Sequence, residues 1–139
     1  MFTLKKSFEM AYKKLPYYHN DAWITNGCFA IKKNVVKDHF KHCLHVPGEQ
    51  HPDISRVVVG CEDNSVVITK TDVLYDYKFC LARVFHDDEG NEYLVNEEYV
   101  KHFKITTLLA GDQYTPLCNE AKTFVVMPLR ARDKVQKIA

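Results

Sequence analysis

No stretch of this 139-residue sequence approaches the roughly 20 apolar residues that a membrane-spanning helix needs, so no membrane partner is expected. Met1 to Leu15 carries Lys5, Lys6, Lys13 and Lys14 but no uninterrupted apolar run, and it does not read as a signal peptide. The five glycines stand singly, which leaves no glycine-rich loop to cradle a phosphate. None of the five cysteines (Cys28, Cys43, Cys61, Cys80 and Cys118) forms a C-x-x-C pair, and their number is odd. Free thiols in a reducing, cytoplasmic setting are the simplest expectation. Ser7, Ser55 and Ser65 lack a G-x-S-x-G context, and Cys28 has no histidine near it in sequence. The carboxylates of Asp87-Asp88-Glu89 and Glu97-Glu98 are accounted for as turn composition and as helix N-terminal charge. A non-enzymatic protein without a cofactor is therefore expected.

What is present is ordinary in amount and uneven in placement. The length suits one domain able to bury about two-thirds of its unfolded surface. Apolar residues make up 46% and aromatics 12%, enough for a sizeable core. The net charge is +1, yet residues 1–45 carry +5, residues 46–100 carry −8 and residues 101–139 carry +4. Basic ends around an acidic middle can fold into a molecule with two electrostatic faces, suited to DNA on one side or to head-to-tail pairing of copies.

Leu4, Phe8, Ala11, Tyr12 and Leu15 lie at helical spacing and Pro16 follows, predicting a first helix over residues 4–15. Ala22–Thr25 and Cys28–Lys32 flank Asn26-Gly27, the dipeptide of a type I′ hairpin turn. Val35–Leu44 reads as a second, amphipathic helix, and His45–Pro52 as a loop. Strands are expected over Ile54–Gly60, Ser65–Thr71, Val73–Tyr77, Lys78–Phe85 and Tyr93–Val95, with turns at Glu62–Asn64 and Asp87–Asn91. Asn96 caps a helix over Glu97–Phe103 that turns Tyr99, Val100 and Phe103 inward. Ile105–Ala110 and Thr123–Met127 complete the sheet, and residues 131–139 read as a polar tail or loose turn. The expected class is α+β: one domain, residues 1–139, with an antiparallel sheet and two or three short helices.

Two groups of side chains invite a ligand. His39, His42, Cys43 and His45 lie within seven residues, with His51 nearby, and on a helix His39 could share a face with His42 or Cys43. Zinc needs three or four protein ligands, and no second pair stands at a recognised spacing, so a solvated helix face is favoured over a metal site. Lys5, Lys6, Lys13, Lys14, Lys33, Lys37 and Lys41, with Lys32, lie on or beside the first two helices, and Lys101 and Lys104 bracket the third. They suit sequence-independent contact with the phosphates of duplex DNA. Lysine is also the usual residue of any solvated helix face, and the pattern alone leaves both readings open.

Two segments carry a resemblance. Trp23-Ile24-Thr25-Asn26-Gly27-Cys28-Phe29-Ala30 resembles the T-D-G-H-R-L hairpin of bacterial DNA polymerase β sliding clamps, and Phe124–Arg130 (FVVMPLR) is similar to the V-V-M-P-M-R-L end of that family. Tyr93-Leu94-Val95-Asn96 with the Tyr99–Phe103 helix resembles a strand and helix of a clamp domain, so the likeness touches about a third of the chain. Asn26 replaces Asp, and Cys28-Phe29-Ala30 replaces His-Arg-Leu. The residues Val35–Pro52 look like an insertion, and nine residues follow Arg130, where the family normally ends. A family clamp has three domains per chain and closes a ring of six around DNA, whereas this chain has room for one.

The resemblance implies a clamp-like binding module of DNA replication, from a phage or mobile element, that contacts duplex DNA or replication proteins. In clamps the two signatures come from adjacent domains and line the pocket for short clamp-binding peptides. Thr25, Gly27, Phe29, Met127, Pro128, Leu129 and Arg130 would correspondingly mark an apolar protein-binding surface. In one domain they meet if copies dock head-to-tail as a homo-oligomer, or if the fold itself joins them. The alternative is a phage-type protein–protein adaptor or inhibitor that does not bind DNA.

Overall fold

Strands with buried apolar side chains set the architecture. In the computed structural model, residues 2–4, 18–19, 22–36, 44–45, 60–77, 80–111, 115–130 and 134–137 are described. Eleven strands belong to one sheet: β1 (Tyr18–His19), β2 (Trp23–Thr25), β3 (Phe29–Lys32), β4 (Leu44–His45), β5 (Val66–Tyr77), β6 (Cys80–His86), β7 (Glu92–Asn96), β8 (Thr107–Ala110), β9 (Leu117–Cys118), β10 (Phe124–Val126) and β11 (Lys134–Lys137). The order is β4-β1-β2-β3-β10-β9-β8-β5-β6-β7, with β11 also on β5. All these pairings are antiparallel except β1 with β4. The molecule is thus mostly antiparallel sheet, which corrects the expected α+β class. Among the described residues, Glu97–His102 form an α-helix, α1, and Lys33–Val35 form a 3-10 turn.

Residues two apart share a face of a strand. Ile24, Phe29, Ile31, Ile68, Phe85, Tyr93, Val95, Leu108, Ala110, Leu117, Phe124 and Val126 all point into one core, which α1 completes with Tyr99, Val100 and Phe103. The intervening residues form two smaller clusters on the opposite face. One is Trp23, Ala30, Cys61, Cys118 and Val125, backed by Leu109. The other is Tyr77, Ala82, Val84 and Leu94, backed by Val73, Tyr75, Cys80 and Leu129. Burying a side chain such as Phe29 or Ile31 stabilises by about 1.5–3 kcal/mol each.

The sheet also closes on itself. Beyond β10 the Leu129 amide donates to the Leu94 carbonyl of β7 at 2.7 Å, in an antiparallel bridge. The segment following β10 therefore meets β7, at the far end of the strand order, and this one bridge closes β5 to β10 into a ring.

Local signals explain α1. The Asn96 side chain accepts from the Glu98 amide at 3.0 Å, and Glu97 and Glu98 stand in the first turn. Glu97 is more than terminal charge: it is buried and takes a two-pronged contact from the Arg83 guanidinium, whose Nε donates to Oε1 at 3.2 Å.

Other expectations need correction. Val35 closes the 3-10 turn, Val36 is extended (φ −107°, ψ 132°) and bridges Phe2, and Leu44 lies in β4, so neither end of the expected Val35–Leu44 helix is α-helical. Its interior, most of the 4–15 helix and residues 54–59 lie outside the described residues. The expected break at Asp72 is a register shift between Lys70 and Leu74 within one long strand. Lys134–Lys137, read as tail, pairs with Tyr75–Tyr77 of β5.

Candidate interaction seam

The Asn26-Gly27 hairpin forms where expected, but not with the expected turn. Thr25 pairs with Ala30, which leaves a four-residue loop. Gly27 has φ +93°, while Asn26 is not among the residues at positive φ, so the type I′ turn gives way to a turn built by side chains. Asn26 is fully buried, and its Oδ1 accepts the amides of Cys28 at 2.9 Å and Phe29 at 3.1 Å. Its Nδ2 donates to the Tyr99 hydroxyl at 3.2 Å, tying the loop to α1. The Thr25 hydroxyl donates to the Phe29 carbonyl and accepts the Gly27 amide.

Beside this loop lies the other signature segment. Phe124, Val125 and Val126 pair with Ile31, Ala30 and Phe29. The ladder continues one step to Met127, whose amide donates to the Cys28 carbonyl at 2.9 Å. Two residues later the same edge of the chain turns to β7 through Leu129 and Leu94. The two segments meet inside one chain, and their meeting needs no second copy.

The expected protein-binding residues divide into two sets. Thr25 and Phe29 are buried, the first inside the hairpin's own hydrogen bonds and the second in the core among the rings of Tyr99, Phe103 and Phe124. Neither offers surface to a partner in the closed fold. Gly27 and Arg130 are exposed, and Met127, Pro128 and Leu129 are half-buried. Leu129 and Cys80 both pack against the cluster of Tyr77, Ala82, Val84 and Leu94, and the Cys80 thiol lies within electrostatic reach of Glu98 and Cys28. Gly27, Cys28, Met127, Pro128, Leu129 and Cys80 thus form a seam of small, sulfur-bearing and apolar groups, with Glu98 and Arg130 as exposed charges near it. Cys80 had no sequence signal, because it comes near Cys28 and Glu98 only in the folded chain.

Burial pushes the Cys80 thiol up to about 11, helped by the Glu98 carboxylate and then by Cys28. Such a thiol is protonated at neutral pH and a poor nucleophile.

Of the lysines expected to face DNA, Lys5, Lys6, Lys13, Lys14, Lys37 and Lys41 lie outside the described residues. Lys33 is half-buried in the 3-10 turn, and its amide donates to the Ala22 carbonyl at 2.9 Å. Lys32 places its ammonium 5.7 Å from the Trp23 ring centre. His39, His42, Cys43 and His51 also lie outside the described residues, and among those described no group of three or more His, Cys, Asp or Glu could hold a metal. No helix among the described residues is long and apolar enough to cross a membrane. Comparisons with protein-family models, with curated proteins and with solved structures give no match.

Proposed function

We propose that this chain is a non-enzymatic binding module whose seam of Gly27, Cys28 and Met127–Arg130 receives a short apolar segment of a protein partner. The observation that carries this reading is the pairing of β3 with β10 and its continuation from Met127 to Cys28, which assembles the seam within one chain. Met127 suits the role because a thioether side chain adapts its shape to differing partners. The half-buried state of Met127, Pro128 and Leu129 supports it further, since each keeps some apolar surface in water. The likeness of both segments to the sliding-clamp signatures makes the peptide-binding tails of replication proteins the first partner class to try. Duplex DNA contact through the lysines is a separate and weaker proposal, because most of them lie outside the described residues.

Titration calorimetry with a synthetic clamp-binding peptide from a replicative polymerase tests this. Saturable binding is expected, weakened at least about tenfold, or 1.4 kcal/mol, by Met127→Glu with unchanged circular dichroism. No heat with the wild-type chain, or equal binding by the variant, defeats the reading. Duplex DNA at low salt is the parallel arm: affinity that falls steeply with added salt supports phosphate contact, and no binding removes it.

A further inference from the structure

On the face of the sheet opposite the main core, two thiols from distant parts of the chain are held together. Cys61 lies in the turn that leads to β5 and Cys118 in β9, and they are 1% and 0% exposed. Trp23, Ala30 and Val125 pack around them. The Cys118 thiol donates to the carbonyl of Cys61 at 3.8 Å, and the two thiols lie within electrostatic reach of each other.

Both partners are anchored by groups outside the pair. Asn64 gives its amide to the carbonyls of Leu109 at 3.1 Å and Pro116 at 2.7 Å and to Cys118 Sγ at 3.8 Å. Gly111 makes room for this amide, since a Cβ there would stand 2.8 Å from Asn64 Oδ1. On the other side the Lys122 ammonium holds the carbonyls of Cys61 at 3.2 Å and Glu62 at 2.6 Å. The sulfur-bearing segments are therefore fixed relative to each other before any bond joins them.

We propose that Cys61 and Cys118 form a reversible intramolecular disulfide, a latch between the turn before β5 and strand β9, made by exchange with a low-molecular-weight disulfide. One thiolate attacks a sulfur of the small disulfide, forming a mixed disulfide and releasing one small thiol. The second protein thiolate then attacks the protein sulfur of that mixed disulfide and releases the other. Two S–H bonds and one S–S bond break, one S–S bond forms on the protein, and the two protons leave with the two small thiols. The finished bond is neutral and suits an apolar cluster, and only weak S–H hydrogen bonds are given up for it. Burial and the neighbouring Cys118 push the Cys61 thiol up to about 11, so exchange waits on opening of the Cys61–Asp63 turn. The latch then sets slowly and, once set, encloses every element from β5 to β9.

Incubating the full chain in oxidised glutathione, followed by acid quenching and peptide mass mapping, tests the pair. The expected product is a monomer lighter by about 2 Da, with one Cys61–Cys118 cross-linked peptide, reversed by dithiothreitol. Its thermal midpoint should exceed that of the reduced chain by roughly 5–15 °C. Cys118→Ala should abolish the cross-link and Cys80→Ala should leave it intact. A cross-link through Cys28, Cys43 or Cys80 instead, stable glutathione adducts on Cys61 or Cys118, or full retention of both thiols would overturn the proposal.

Discussion

At the scale of single residues, Asn26 concentrates the most structure in one side chain. It orders the hairpin loop and links it to α1, so Asn26→Ala should destabilise the fold by about 1–3 kcal/mol in urea unfolding, the cost of buried amides left without an acceptor. Asn26→Asp keeps the acceptor oxygens, and the Tyr99 hydroxyl can donate in place of the lost amide. It should cost clearly less than the alanine change. The sequence announced a turn at Asn26-Gly27 but not this role, because the dipeptide serves both a backbone turn and a side-chain turn. The buried thiols add a pH dependence. Cys61 and Cys80 are raised from 9.0 to about 11 in the folded chain. Their contribution to stability is complete below pH 9 and is lost as pH rises through about 11. Replacing both by alanine should flatten the fall in stability between pH 9 and pH 11, measured against the wild-type chain in reducing buffer.

At the scale of elements, local chemistry was legible and distant pairing was not. α1 was readable because its signals are adjacent in sequence: the Asn96 cap, the acidic first turn, and Tyr99, Val100 and Phe103 at inward spacing. Its far end shows a cost the sequence did not announce. Lys104 takes φ +52° while the Ile105 amide returns to the Val100 carbonyl, a helix ending that glycine adopts without strain. Lys104→Gly should therefore raise stability by about 1 kcal/mol in urea unfolding. The Arg83–Glu97 pair makes the opposite prediction. Glu97 is buried, and Arg83→Ala should cost about 3–5 kcal/mol because it strands that carboxylate without its guanidinium. The helix expected over Val35–Leu44 fails at its described ends because Val36 finds a strand partner in Phe2, more than 30 residues earlier. β11 was missed for a related reason. Its four residues are mostly polar, and only the free edge of β5 makes a strand of them.

At the scale of the whole molecule, the closing step is the passage from β10 to β7. Phe124–Val126 was legible as a strand, and the fold buries all three residues, so both of its faces are covered. Its neighbours were not legible, since β3 lies more than 90 residues earlier and Leu94 more than 30. Two segments that resembled parts of adjacent clamp domains are instead neighbours in one sheet, and the antiparallel ring that β10 helps to close is not the α+β domain expected. The proposed surface depends on that ring and not on a ring of subunits. Leu129→Asp should loosen it by placing a carboxylate in the apolar cluster of Val84 and Leu94. Faster amide hydrogen exchange along β7 in the variant would register the change. The most direct measurement of the seam is an amide NMR titration of the wild-type chain with the clamp-binding peptide. Shifts confined to Gly27, Cys28, Met127, Leu129, Arg130 and Cys80 at a monomeric molecular mass are the predicted result. Shifts elsewhere with these signals unmoved, or shifts seen only when copies associate, would contradict it.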